Sequence, residues 1–166
     1  MGTGVPQGSI LGPLLFLLYV NDLPNICNHS SCLLYADDTA LFFEHNDGHR
    51  MQDMLDEELP NLCKWLETNR LSLNTDKTYC QLYNNTTQNI ILNVVLKGTS
   101  IQFVNQVKYL GMYIDNKLSW KYHVDHLYSI LSRNVGILYR SKVFYSQTSM
   151  ILLYNSLILP YLTTAA

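Results

Sequence analysis

Between Cys32 and Phe43 two apolar runs, Cys32-Leu33-Leu34-Tyr35-Ala36 and Thr39-Ala40-Leu41-Phe42-Phe43, are separated only by Asp37-Asp38. Apolar runs of this length around a polar pair predict a buried β-hairpin with the aspartates at its tip. Adjacent carboxylates repel each other and resist removal from water. Either the pair is a solvated turn, where Asp is common, or something positive offsets it. A hard divalent cation held by oxygen ligands is the natural offset. Local sequence alone leaves both readings open.

The 166 residues suit one globular domain, and 48% apolar content with 14% charged residues excludes intrinsic disorder. The four cysteines, Cys27, Cys32, Cys63 and Cys80, include no CxxC pair, and a chain this long buries a core without disulfides. Met1 is followed by Gly-Thr-Gly-Val-Pro-Gln-Gly, without the basic start of a signal peptide, so the thiols are expected to be reduced and the protein intracellular. Cys27, His29 and Cys32 lie close in sequence, but their spacing fits no zinc pattern. The charge drifts along the chain: residues 1–50 carry one basic and five acidic side chains, whereas residues 101–166 carry six and two. Phosphates would be met by the basic end, although ordinary surface scatter gives the same drift.

Residues 10–21 are apolar on nearly every side, which predicts a buried helix, with Pro13 tolerated in its first turn and Pro24 beyond its end. Twelve such residues fall short of the ~20 that span a bilayer. An amphipathic helix is expected over 47–69, with Met51, Leu55, Leu62, Trp65 and Leu66 inward and Asp53, Asp56, Glu57 and Glu58 toward water. Pro60 inside it predicts a kink or two shorter helices. Strands are expected at 78–83 and 107–114, and a hairpin with arms 94–96 and 101–104. Helices follow at about 119–139 and 147–159. After Lys142 no charged residue occurs, but Gln147, Asn155, Ser156 and Pro160 interrupt the run, so a buried amphipathic helix is expected there rather than a membrane span.

Tyr35-Ala36-Asp37-Asp38 resembles the Tyr-x-Asp-Asp hairpin of the reverse transcriptase palm. Upstream, Gly4-Val5-Pro6-Gln7-Gly8-Ser9-Ile10-Leu11-Gly12-Pro13-Leu14-Leu15-Phe16 and Tyr19-Val20-Asn21-Asp22-Leu23-Pro24 are similar to the loop and helix before that hairpin in non-LTR (LINE-type) retrotransposon enzymes. Downstream, Leu71-Ser72-Leu73-Asn74-Thr75-Asp76-Lys77-Thr78 resembles the family's Leu-Asn-x-x-Lys-Thr element. Val107-Lys108-Tyr109-Leu110-Gly111-Met112-Tyr113-Ile114-Asp115, with Leu118-Ser119-Trp120 and His123, resembles its primer grip and the start of its thumb. Residues 152–161 keep the cadence of the thumb region, so the likeness covers nearly the whole chain, in the family's order.

The resemblance implies an RNA-directed DNA polymerase that uses Mg2+ (or Mn2+), deoxynucleotides, an RNA template and a DNA primer, with no membrane. Asp37 would ligate both metals of a pair about 3.5–4 Å apart, with Asp38 a weaker or indirect ligand. Lys77 would approach the nucleotide phosphates. Pro6, Gln7 and Gly8 would border nucleotide and template, Tyr35 would lie beneath the primer end, and Tyr109, Leu110 and Gly111 would position the primer. His123 falls where the family uses a structural residue. The implied fold is α+β: a partial palm over 1–115, an antiparallel sheet with the Asp-Asp hairpin backed by helices, then a helical thumb-like portion over 116–166.

In the family a further catalytic aspartate lies upstream of the Pro-Gln-Gly loop, and the fingers precede it; this chain begins after both. Two metals on one adjacent pair of carboxylates would be under-ligated. The chain is therefore expected to be a palm–thumb part that is inactive alone. The competing expectation is a non-catalytic nucleic-acid-binding or structural remnant.

Overall fold

The computed structural model describes residues 8–83 and 90–163. The chain divides into two compact units, the first running to Cys80 and taking in the stretch that ends at Gln102, the second holding Gln81–Tyr83 and everything from Phe103.

In the first unit helix α1 spans Leu11–Val20 and a 3-10 turn spans Leu23–Ile26, with Pro24 in its first positions, where a missing N–H costs nothing. Strands β1 (Ser30–Tyr35) and β2 (Asp38–Phe43) form an antiparallel hairpin. Helix α2 covers Gly48–Thr68; the Asp47 side chain accepts from the His49 N–H and caps its N-terminus. A short hairpin follows, β3 (Val95–Leu96) with β4 (Thr99–Ser100), turning on Lys97-Gly98. Leu23, Leu55, Leu59, Leu62, Val94, Leu96 and Ile101 form the core, and Cys32, Leu34, Leu41 and Phe43 pack one face of the β1–β2 hairpin against it. Fully burying each large aliphatic side chain contributes ~1.5–3 kcal/mol, which is what seats the hairpin on α2.

The side-chain amide of Gln52 on α2 behaves like one more strand peptide. Its Nε2 donates to the Asn93 carbonyl at 2.9 Å and its Oε1 accepts from the Asn93 N–H at 2.8 Å, just before β3. This satisfies an edge that would otherwise stay open.

The second unit contains the hairpin β5 (Gln106–Tyr109) and β6 (Met112–Asp115), helix α3 (Lys121–Ser141), helix α4 (Gln147–Leu157) and the short α5 (Leu159–Thr163). Asn134 on α3 donates to the Leu157 carbonyl at 2.7 Å, satisfying a C-terminal carbonyl of α4 that has no partner within its own helix. Leu138 and Ile158 are buried. His123 is buried too, and its Nδ1 accepts from the Tyr113 N–H at 3.3 Å, joining α3 to β6.

Several expectations are corrected. Helix α2 is continuous through Pro60, because Pro60 lies on the solvent side, where water can satisfy the carbonyl deprived of its partner. Glu58 does not face water: it is buried on the apolar stripe. No strand forms at 78–83 among the described residues; Thr75–Lys77 is a 3-10 turn, and Cys80 makes only an isolated bridge, its N–H donating to the Gln102 carbonyl. The 107–114 run is a hairpin rather than one strand, since Leu110 and Gly111 both take positive φ, 46° and 87°, and make a two-residue turn. The hairpin expected between 94 and 104 closes two residues tighter for the same reason, with Lys97 and Gly98 at φ 51° and 76°. Helix α4 stops at Leu157, before Pro160. Most of α1 and α4 is exposed, including Leu14, Leu18, Ile151 and Leu152, so their apolar sides find no cover among the described residues.

Candidate active site

The β1–β2 register places Tyr35 opposite Asp38, Leu34 opposite Thr39 and Leu33 opposite Ala40. Opposed residues in an antiparallel pair share a face, and faces alternate along each strand. Cys32, Leu34, Leu41 and Phe43 turn toward the core, whereas Leu33, Tyr35, Asp38 and Phe42 are exposed on the other side. The connecting turn is Ala36-Asp37 alone. The aspartate pair expected at the tip is therefore split: Asp37 is in the turn, but Asp38 is the first residue of β2, because Ala36 takes the other turn position. Ala36 takes φ 50°, the left-handed region that favours glycine, so the turn holds strain at the point where the carboxylates project.

Both aspartates are exposed, and neither side chain is engaged by another described residue. Their oxygen donors suit a hard divalent cation. Their number does not complete a site: no three His, Cys, Asp or Glu side chains gather around a common point among the described residues.

Lys77 ends the 3-10 turn, exposed, and makes no ion pair among the described residues. Thr78 and Tyr79 fix that turn through hydroxyl donations to the carbonyls of Asn74 and Asp76, at 2.8 and 3.0 Å. Gly8 is exposed at φ 85°, a conformation that suits glycine; Pro6 and Gln7 lie outside the described residues. In the second unit Tyr109 is half-buried at the end of β5, and Leu110 and Gly111 are the hairpin turn itself. Among the described residues the candidates therefore fall at four places along the chain: Gly8, the β1–β2 hairpin, the 3-10 turn of Lys77 and the β5–β6 turn.

Sequence reading missed the group that grips the start of β1. The Glu58 Oε2 accepts from the backbone N–H of His29 at 2.5 Å and of Ser30 at 3.2 Å, and the Ser30 hydroxyl donates to Oε1. Beside it, the ring Nε2 of His29 lies 3.0 Å from Glu57 Oε2. The signal was in the spacing: Glu58 stands three residues after Leu55 and four before Leu62, on the buried stripe. Close to this grip, burial raises the thiol of Cys27, and burial together with the neighbouring Cys27 pushes Cys32 up to about 11.

Sequence comparison gives the class of protein to which this chain belongs. The chain belongs to the reverse transcriptase (RNA-dependent DNA polymerase) family, whose profile matches residues 1–114. It is 33% identical over 132 residues to the probable RNA-directed DNA polymerase from transposon BS of Drosophila melanogaster, covering 75% of this chain and 15% of that protein. To the RNA-directed DNA polymerase from mobile element jockey of the same species it is 30% identical over 134 residues, 76% of this chain and 14% of the relative. To the retrovirus-related Pol polyprotein from type-1 retrotransposable element R1 2 of Nasonia vitripennis it is 30% identical over 128 residues, 73% and 31%. The chain thus spans a small part of the curated relatives it matches. No solved structure matches it. The resemblance read from the motifs, to reverse transcriptases of the non-LTR type, is borne out. No helix among the described residues is long and apolar enough to cross a membrane.

Proposed function

We propose that the chain supplies the catalytic hairpin and primer-holding segments of an RNA-directed DNA polymerase, palm over 1–115 and thumb over 116–166. The observation that carries this reading is Asp37-Asp38 at the exposed turn of a hairpin, within a stretch that matches the reverse transcriptase family. Asp37 and Asp38 are the carboxylates that would hold Mg2+ or Mn2+, which when bound supplies positive charge to the attacking and leaving oxygens. Lys77 faces solvent, free to meet a triphosphate. Tyr109, Leu110 and Gly111 present a tight turn along which a primer strand can pass, and Gly8 with Pro6 and Gln7 borders the nucleotide. The partners are an RNA template, a DNA primer and deoxynucleotides.

A second reading, nucleic-acid binding without polymerisation, is favoured by the absence of a third metal ligand among the described residues. Primer extension separates the two. The chain alone is expected to incorporate no labelled deoxynucleotide on an RNA template. Joined to the fingers and first palm strand of an intact relative, it is expected to extend the primer, with activity abolished by chelator and reduced on the order of a thousand-fold by Asp37→Asn. A joined protein that binds template–primer yet never extends it would leave the second reading standing.

A further inference from the structure

We propose that Glu58 is a positioning residue for the Asp37–Asp38 turn: its buried carboxylate, reaching from helix α2, fixes where the β1–β2 hairpin sits along that helix and so where the two aspartates project. The inference rests on the reading of that turn as the metal-holding one.

The argument begins with what apolar packing cannot do. Burial of Cys32, Leu34, Leu41 and Phe43 holds one hairpin face to the core, but the hydrophobic effect has no direction and resists small slides only weakly. A two-stranded hairpin is marginal on its own, so its placement comes from outside it. Hydrogen bonds are directional, and Glu58 makes three of them at one point: two to consecutive backbone N–H groups and one from the Ser30 hydroxyl. All reach one side chain that is 2% exposed, where water does not compete for them. Glu58 is also flanked on α2 by the core residues Leu55, Leu59 and Leu62, which leaves its side chain little freedom. His29 is held a second time, by its ring against Glu57. From Ser30 the strand runs without interruption to Tyr35 and the turn, so a shift at the grip is carried along the hydrogen-bonded ladder to Asp37.

The test compares the full chain with Glu58→Gln and Glu58→Ala, and with Leu62→Ala as a control for general loss of stability. Turn chemical shifts, amide exchange along the hairpin and Mn2+-induced relaxation at the turn are measured. Glu58→Ala is expected to displace the Ala36–Asp38 resonances and to speed exchange at the β1 amides on the order of tenfold beyond the control. Glu58→Gln, which keeps an acceptor oxygen, restores both. Should Glu58→Ala fail to fold, Ser30→Ala, which removes the hydroxyl link alone, carries the comparison with a several-fold effect. Hairpin shifts and exchange in Glu58→Ala (or in Ser30→Ala, where that variant stands in) that match Leu62→Ala, or a Gln variant that does not restore them, would overturn the proposal. A wild-type turn that ignores Mn2+ removes the metal reading, while shifts and exchange still decide the role of Glu58.

Discussion

Tyr35 and Asp38 face each other across the last rung of the β1–β2 ladder, with only Ala36 and Asp37 between them in the chain. Asp38 is therefore fixed by strand geometry and shares the exposed face with Tyr35, while Asp37 stands at the turn. That difference predicts unequal consequences of neutralising the two. Asp37→Asn and Asp38→Asn are close to isosteric, so both should fold with unchanged circular dichroism. Titration with Mn2+, followed by relaxation at the turn amides, is expected to lose its response almost wholly in Asp37→Asn and partly in Asp38→Asn. Equal loss in both, or none, would contradict the placement.

Ala36 holds a left-handed φ of 50° where glycine fits without steric cost. Ala36→Gly relieves that strain but adds freedom to the unfolded chain. The net gain is expected to be small, about 0.5–1 kcal/mol, seen as a higher urea midpoint at unchanged slope. A destabilised Ala36→Gly would mean that the turn does not depend on the left-handed conformation.

His123→Ala removes the acceptor for the part-buried Tyr113 N–H and, His123 being buried, opens space under α3. A loss of about 1–3 kcal/mol is expected from the unsatisfied donor alone. His123→Asn, which offers an acceptor on a shorter side chain, should recover part of it. Chemical denaturation measures both, and a neutral His123→Ala would show that water replaces the imidazole.

Burial pushes the Cys80 thiol up to about 11, and burial with the adjacent Cys27 does the same to Cys32. Both thiols have folded values above the ordinary 9.0, so the folded state keeps its protons to higher pH than the unfolded one. Their contribution to stability is then whole below pH 9.0 and is lost as pH rises toward about 11. Denaturation midpoints are expected to fall across that window, and Cys80→Ser should flatten the fall. The same shift makes both thiols slow toward alkylating reagents at pH 8, which mass spectrometry of the labelled chain reads directly.

The elements legible in sequence were those whose periodicity is strong and whose ends carry breakers. Leu11–Val20 was marked by Pro13 and Pro24, and α2 by its stripe of Leu55, Leu62 and Leu66. The β1–β2 hairpin was legible because Asp37 and Asp38 alone interrupt two apolar runs. What could not be read was governed by contacts distant in sequence. Charge alone sends Glu58 to water, and only the N–H groups of His29 and Ser30, twenty-nine and twenty-eight residues away, explain why it is buried. The Leu110-Gly111 turn was hidden because leucine rarely signals a left-handed residue. Of the candidate site, the hairpin carrying the aspartates was legible, but not that its turn takes in Ala36 and Asp37 and leaves Asp38 in β2; nor were the distances that would relate Lys77 to them, since spacing in sequence says nothing of separation across a fold.

Alternation across the β1–β2 ladder has a consequence for how this chain can fail. A one-residue slip of β1 against β2 would turn Leu33 and Tyr35 inward and expel Cys32 and Leu34, leaving Asp38 on the open face without its partner Tyr35. Two fastenings oppose that error from opposite ends: the tight turn at Ala36-Asp37 sets which residues may pair, and the Glu58 grip at Ser30 sets where the first rung begins. Lengthening the turn by one residue would therefore leave the strands free to mispair only at the cost of abandoning three hydrogen bonds at the far end, so insertions there should yield a frayed tip rather than a shifted hairpin.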